Sequence, residues 1–235
     1  MSKKAWIIFG IICAVVLAGL VFFSTRSRID VSNIDPNALQ PSSEASGNIA
    51  DHVFGKVDSP VVLQEYGDFQ CPGCESAYPT VKKLSEKYKD QLAFVFRNFP
   101  ITSKHPNAKA AAAAAEAAGL QGKYWEMHDM LYEGQNDWQA LSANERTDFF
   151  AKYADTLGLN VDTFKKDMTG DATSKKIGFD QAIGKKAGVD ATPTFYLNGQ
   201  RVADDVWQSE QKFEEAIVNE LKAHNITLPD QTAAQ

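Results

Sequence analysis

Two thiols sit three residues apart, at Cys71 and Cys74, with Pro72 and Gly73 between them. They follow an apolar run and open a helical pattern, a setting in which a cysteine pair reads as a redox motif. The helix is expected to begin inside the motif. Cys71 suits the N-cap and Pro72 the first helical position, where a missing N–H costs nothing. Cys71 then faces unpaired backbone N–H groups and the positive end of the helix dipole. Both favour the thiolate, which is the nucleophile in disulfide exchange. Cys74 falls one turn further on the same face, within disulfide reach and better covered. Cys71 is therefore expected to be the attacked and attacking sulfur, and Cys74 the resolving one.

Metal and cofactor chemistry fit less well. A lone cysteine pair is half of a four-cysteine zinc site. The four histidines, His52, His105, His128 and His224, show no ligand spacing. Residue 75 is Glu, so the pattern for haem attachment is absent. No metal and no cofactor are expected, and His128, on an apolar helix face, reads as a core histidine.

The elements around the pair have an order. Val61 to Tyr66 is a short apolar strand. The helix after the cysteines places Cys74, Ala77, Tyr78, Val81, Leu84 and Tyr88 at spacings of three and four, with Pro79 expected to kink it. Leu92 to Phe96 is a second buried strand. Strand, helix and strand make a βαβ unit with parallel strands. A long helical stretch follows, over about 104–188, including an alanine-rich helix that stops at Gly119. Ser142 and Glu145 suit a capping box. Strand character returns at Thr194–Leu197. Asn198-Gly199 then gives a strong short hairpin signal. Ser209 suits the cap of a last helix with Phe213, Ile217 and Leu221 as its buried stripe.

The chain's 235 residues allow one sizeable domain plus a short extra segment. A net charge of -6 argues against nucleic acid as a partner. Ala5 to Phe23 carries no charged or strongly polar side chain. As a helix, at about 1.5 Å per residue, it nearly spans a hydrocarbon core of about 30 Å. The run ends Leu20-Val21-Phe22-Phe23, where a cleavage site needs small residues, so an uncleaved membrane anchor is expected over 1–28. Two basic residues on each side, Lys3 and Lys4 against Arg26 and Arg28, leave its orientation undecided by charge. Cys13 within it is a small apolar filler. Residues 29–51 are rich in Ser, Asn, Pro and Ala and read as a flexible tether. The domain is expected over 52–228, with a loose tail at 229–235.

Three features together resemble the DsbA-type thiol–disulfide oxidoreductases. One is Cys71-Pro72-Gly73-Cys74 opening the first long helix. The second is Ala191-Thr192-Pro193-Thr194-Phe195 leading into the hairpin, similar to that family's cis-proline loop. The third is the helical insert, with His105-Pro106-Asn107-Ala108 and Gln121-Gly122-Lys123-Tyr124-Trp125-Glu126-Met127-His128. The resemblance covers about His52 to Ala223. It implies an α/β thioredoxin-like fold with an inserted all-helical domain, and the apolar run at Ala5–Phe23 is expected to precede it as one transmembrane helix. It implies a cis Pro193 beside the sulfurs, the backbone around Thr192 pairing with substrate, and substrate contacts at Pro72 and Gly73. It also implies that Glu65 is a buried acid handling the proton of Cys74; a solvated carboxylate at a strand end is the other reading of that residue.

The expected chemistry follows. A thiolate of an unfolded exported protein attacks the Cys71 sulfur and Cys74 leaves. The substrate's second thiolate then attacks the mixed disulfide and departs with a new bond. A low Cys71 pKa stabilises the reduced form and so makes the disulfide the better oxidant. Glu75 and Asp68 place negative charge nearby and are expected to raise that pKa, while Gly73 brings no side chain to lower it. A domain anchored outside the cytosol suits disulfide formation. The resemblance implies a quinone-linked membrane partner for reoxidation. The rival of the same class is a membrane-anchored reductase or isomerase. No extra dimerisation domain is visible, so a monomer is expected.

Overall fold

The computed structural model describes residues 3–26 and 29–229. Its centre is a five-stranded sheet in the order β1-β3-β2-β4-β5. These strands are β1 (Val53–Gly55), β2 (Val62–Gly67), β3 (Ala93–Asn98), β4 (Thr194–Leu197) and β5 (Gln200–Arg201). β2 and β3 run parallel, with Val62 opposite Ala93 and Gly67 opposite Asn98. The crossover between them is α2 (Pro72–Lys87), which continues through Pro79. β4 returns antiparallel to β2, and β1 lies antiparallel to β3. The β4–β5 turn has positive φ at both Asn198 (47°) and Gly199 (76°), the geometry that Asn-Gly supplies at low steric cost.

Alternation along the strands sorts side chains between two faces. On one face Leu63, Phe94, Phe96, Phe195 and Leu197 pack against α2 and α10 (Glu210–Ala223), whose stripe is Phe213, Ile217 and Leu221. Glu65 points to this same side. On the other face Tyr66 and Tyr196 meet Phe179 and Ile183 of α8 (Asp171–Ala187). The helix expected to close the insert is therefore also a layer on the sheet. Between β3 and α8 lie α3 (Ala108–Gly119), α4 (Tyr124–Glu133), α5 (Gln135–Trp138), α6 (Ala143–Thr156) and α7 (Val161–Met168). Nearly every alanine of α3 is buried, and small side chains let neighbouring helices approach closely. α9 (Asp204–Trp207) is a single turn before α10.

Residues 29–51 correct an expectation: they are no tether. Ile29, Val31, Ile34 and Ala45 pack on the cluster around Tyr66 and Phe179. Gln40, Ser46, Ile49 and Asp51 are buried. Arg97, wholly buried on β3, donates to the carbonyls of Pro36 (2.5 Å) and Ala38 (2.7 Å) and to Asp51 Oδ2 (2.7 Å). Lys186 donates to the carbonyls of Val31, Ser32 and Ile34. The segment is a strap over the second face of the sheet. It lacks periodicity because its partners are backbone carbonyls and a few side chains, with no repeating stripe.

Asp51 anchors the strap. Its second oxygen accepts from Lys176 at 3.0 Å, and Lys176 also reaches Asp180 at 2.7 Å. Burial alone would raise the Asp51 carboxyl, but Lys176 and Arg97 outweigh it and hold it low. Replacing Asp51 with alanine would leave two buried cations short of a partner. Breaking such a pair costs about 3–5 kcal/mol, so D51A is expected to unfold at clearly lower denaturant than the parent.

The apolar N-terminal segment forms α1 (Lys3–Arg26). Trp6, Ile7, Phe9, Ile11, Ile12, Val15, Val16 and Leu17 are exposed on it. Among the described residues, no helix is long and apolar enough to cross a membrane. The transmembrane anchor expected over Ala5–Phe23 is thus not supported by the structure. The flanking Arg28 and the tail from 230 onward lie outside the described residues.

Candidate active site

Cys71 is the N-cap residue of α2, in extended conformation (φ -77°, ψ 124°), and Pro72 occupies the first turn. The backbone that precedes it makes a turn: Cys71 N–H donates to Asp68 C=O at 2.9 Å. β2 ends at Gly67 and delivers this turn to the edge of the core. A carbon added at Gly67 would strike the Phe96 ring at 2.2 Å, so only glycine fits where the strand passes beneath that ring.

Both cysteines are thiols, with Cys71 8% exposed and Cys74 fully buried. Cys71 is held from an ordinary value of 9.0 down to about 5. The Cys74 thiol, donating to it, is the largest cause; burial works the other way. The Thr192 hydroxyl and the backbone N–H groups of Cys74 and Gly73 add to the lowering. That hydroxyl is buried and makes no hydrogen bond of its own in the structure. When neutral, the Cys71 thiol donates to Thr192 C=O at 3.2 Å. Cys74 is pushed the opposite way, by burial first, then by its bond to Cys71 and the charges of Glu65 and Cys71. Two thiols one helical turn apart are thus driven to opposite protonation states.

The Asp68 carboxylate does not face Cys71, contrary to expectation. It turns to the loop at 101–105, accepting from Ile101 N (2.8 Å) and His105 Nδ1 (2.7 Å), and from Gln70 N (2.8 Å). Glu75 stands at the first helical turn, and the donors at the helix start outweigh negative charge.

The other residues read from the sequence lie together. The Thr192–Pro193 bond is cis. A carbon added at Gly73 would sit 3.1 Å from Pro193 Cδ and 3.7 Å from the Cys71 sulfur, so Gly73, Pro193 and Cys71 form one contact. Glu65 is 3% exposed, inside the core. Burial, then the Cys71 charge, raises its carboxyl from 4.5 to about 8. It lines a cavity of about 30 Å³ with Tyr78, Ser85, His128 and Lys82, enough for a water molecule. His128 is buried among aromatic rings, and burial lowers its pKa. Its Nε2 has no partner. Among the described residues no cluster suited to a metal ion occurs.

Sequence reasoning missed how the insert holds the cysteine loop. Gln70 bonds Asn107 N (2.7 Å) and Gln139 C=O (2.8 Å). Gln135 donates to the carbonyls of Phe69 (2.8 Å) and Cys71 (3.3 Å). These glutamines fall among polar surface residues in the sequence, and only their burial marks them.

A CxxC pair at a helix start, facing a cis-proline loop across a central sheet, has a counterpart in known proteins. The thioredoxin family profile matches residues 47–219. The chain belongs to the thioredoxin family. Among solved structures, the chain is similar to oxidised BdbD from Bacillus subtilis, at 24% identity and a TM-score of 0.64, covering 79% of this chain and 98% of that one. It is also similar to α-DsbA1 from Wolbachia pipientis, at 20% identity and a TM-score of 0.61, covering 74% and 92%. At those identities the likeness shows the shared fold, a thioredoxin with a helical insert. Among curated relatives, it is 38% identical over 151 residues to a Na(+)/H(+) antiporter NhaA 1 from Salinispora arenicola, covering 64% of this chain and 22% of that protein. The chain thus spans under a quarter of that relative's length.

Proposed function

We propose that this protein is a thiol–disulfide oxidoreductase that donates a disulfide from Cys71–Cys74 to folding proteins outside the cytosol. One observation carries the reading: Cys71 caps α2 beside the cis Pro193 and is drawn toward the thiolate, while Cys74, one turn deeper and fully buried, is held as a thiol. A stable Cys71 thiolate favours the reduced pair, so the oxidised pair gives up its disulfide readily.

In the cycle, a substrate thiolate attacks the Cys71 sulfur from the side of Thr192 and Pro193. Cys74 leaves. A second substrate thiolate completes the exchange, and a membrane partner linked to quinones takes the electrons. Glu65, buried beneath the pair, takes the proton of Cys74 when the reduced pair is reoxidised; its burial supports that role. The exposed apolar side chains of α1 support attachment to a membrane, with the domain on the extracytoplasmic side and acting as a monomer. Carbonate extraction of membranes tests that attachment: the full chain should stay with the pellet, and a form lacking residues 1–28 should be released.

The reduction potential tests the direction. Equilibrated with glutathione, the full chain should settle well above thioredoxin, whose potential is about -270 mV. It should also speed oxidative refolding of reduced ribonuclease. A potential at the thioredoxin value would replace the donor reading with a reductase.

A further inference from the structure

The geometry points to Asp68 and His105 as a positioning couple that holds the Asp68 backbone N–H on the Cys74 sulfur, there to stabilise the thiolate that leaves when Cys71 is attacked. This rests on the exchange reaction proposed above.

Asp68 N–H donates to Cys74 Sγ at 3.5 Å. Among the described residues, it is the one backbone N–H found on that sulfur. Its task is set by the reaction. As a thiolate attacks Cys71 Sγ, a new S–S bond forms and the Cys71–Cys74 bond breaks. The bonding pair departs on Cys74 Sγ, in a fully buried site that offers a new anion little else. A prealigned N–H at the place where charge develops lowers the barrier without reorganisation.

The N–H is aimed by the side chain of its own residue. The Asp68 carboxylate is fully buried and both oxygens are used. Oδ1 takes Gln70 N, which fixes the turn into Cys71. Oδ2 takes Ile101 N and His105 Nδ1. Those two donors come from one turn, closed by Lys104 N and His105 N on Ile101 C=O, both at 2.9 Å. The Asp68 carbonyl meanwhile accepts from Cys71 N. One residue therefore touches the backbone of one cysteine and the sulfur of the other, and His105 secures it from 37 positions away. An asparagine would offer one acceptor oxygen where three donors converge.

The test is reduction of the oxidised full chain by glutathione, a thiol too small to depend on protein recognition. Asp68→Asn should slow that step about tenfold, the scale of one hydrogen bond to a charged group. His105→Ala should slow it several-fold. His105→Asn, whose amide takes the place of Nδ1, should recover most of the rate. The equilibrium constant with glutathione should stay within twofold, because Cys74 is a neutral thiol once reduction is complete. A purely structural couple would shift the melting temperature and leave that split between rate and equilibrium absent. Wild-type rates in Asp68→Asn and His105→Ala overturn the inference, as does a His105→Asn protein no faster than His105→Ala. Should Asp68→Asn fail to fold, the two His105 variants decide. An oxidised parent that glutathione does not reduce at all overturns the oxidoreductase reading itself.

Discussion

Replacing Cys71 with serine is expected to abolish disulfide exchange, lowering the rate by roughly a thousandfold or more, the scale of losing a nucleophile. Cys74→Ser should instead stop at the mixed disulfide, visible as a covalent adduct by mass spectrometry. The same sulfur has a signature in the unmodified protein. With Cys71 near 5 and Cys74 driven up, reduction between those values takes up one proton for two electrons. The potential should fall by about 30 mV per pH unit above pH 5 and about 59 mV below it. A Glu65→Gln background removes the proton of residue 65 from this count. Thiolate absorbance should show the matching transition near pH 5. Stability carries the same sign. A thiol whose folded pKa lies below its unfolded value of 9.0 strengthens the reduced fold above pH 9, and the gain is lost as pH falls through about 5. A break in the potential near pH 9, with none near 5, would remove the helix-start thiolate from the mechanism.

Glu65→Gln should stabilise the protein at alkaline pH. Burial, then the Cys71 charge, lifts this carboxyl to about 8. Between pH 4.5 and 8 the folded chain keeps a proton that the unfolded chain has released. Stability therefore falls as pH rises through that window. At one pKa unit per about 1.4 kcal/mol, the cost above pH 8 is of order 3–5 kcal/mol. The measurement belongs in a Cys71→Ser background, where the opposing thiolate contribution is gone and burial, the larger cause, remains. Denaturant midpoints at pH 5 and pH 9 should differ strongly in that protein and far less once Glu65 is also Gln. Equal midpoints with Glu65 present would mean that the carboxylate ionises in place, and would end its role as a proton acceptor for Cys74.

The sequence showed what short-range chemistry dictates. Cys71 at the cap, Pro72 in the first turn, the Asn198-Gly199 hairpin and the stripe of α10 each depend on neighbours within a few residues. The strap was hidden because its partners, Arg97 and Lys186, lie far along the chain and bind its carbonyls, which every residue carries. Asp68 was read from its charge alone, as a neighbour that would oppose the thiolate. Its true partners, Ile101 and His105, come together only when β3 lies beside β2. α8 carries a mixed pattern because it serves α3 on one side and the sheet on the other.

The docked strap alters how far the sulfurs of a surface-held copy could roam. From Ile29 onward the chain is committed to the body, so residues 29–51 lend no slack to what precedes them. A slack segment over the same residues would wander about 25 Å. A copy fixed to a bilayer by α1 would work like a lamp on a short bracket. On the function proposed above, its clients would then meet it within arm's length of the lipid.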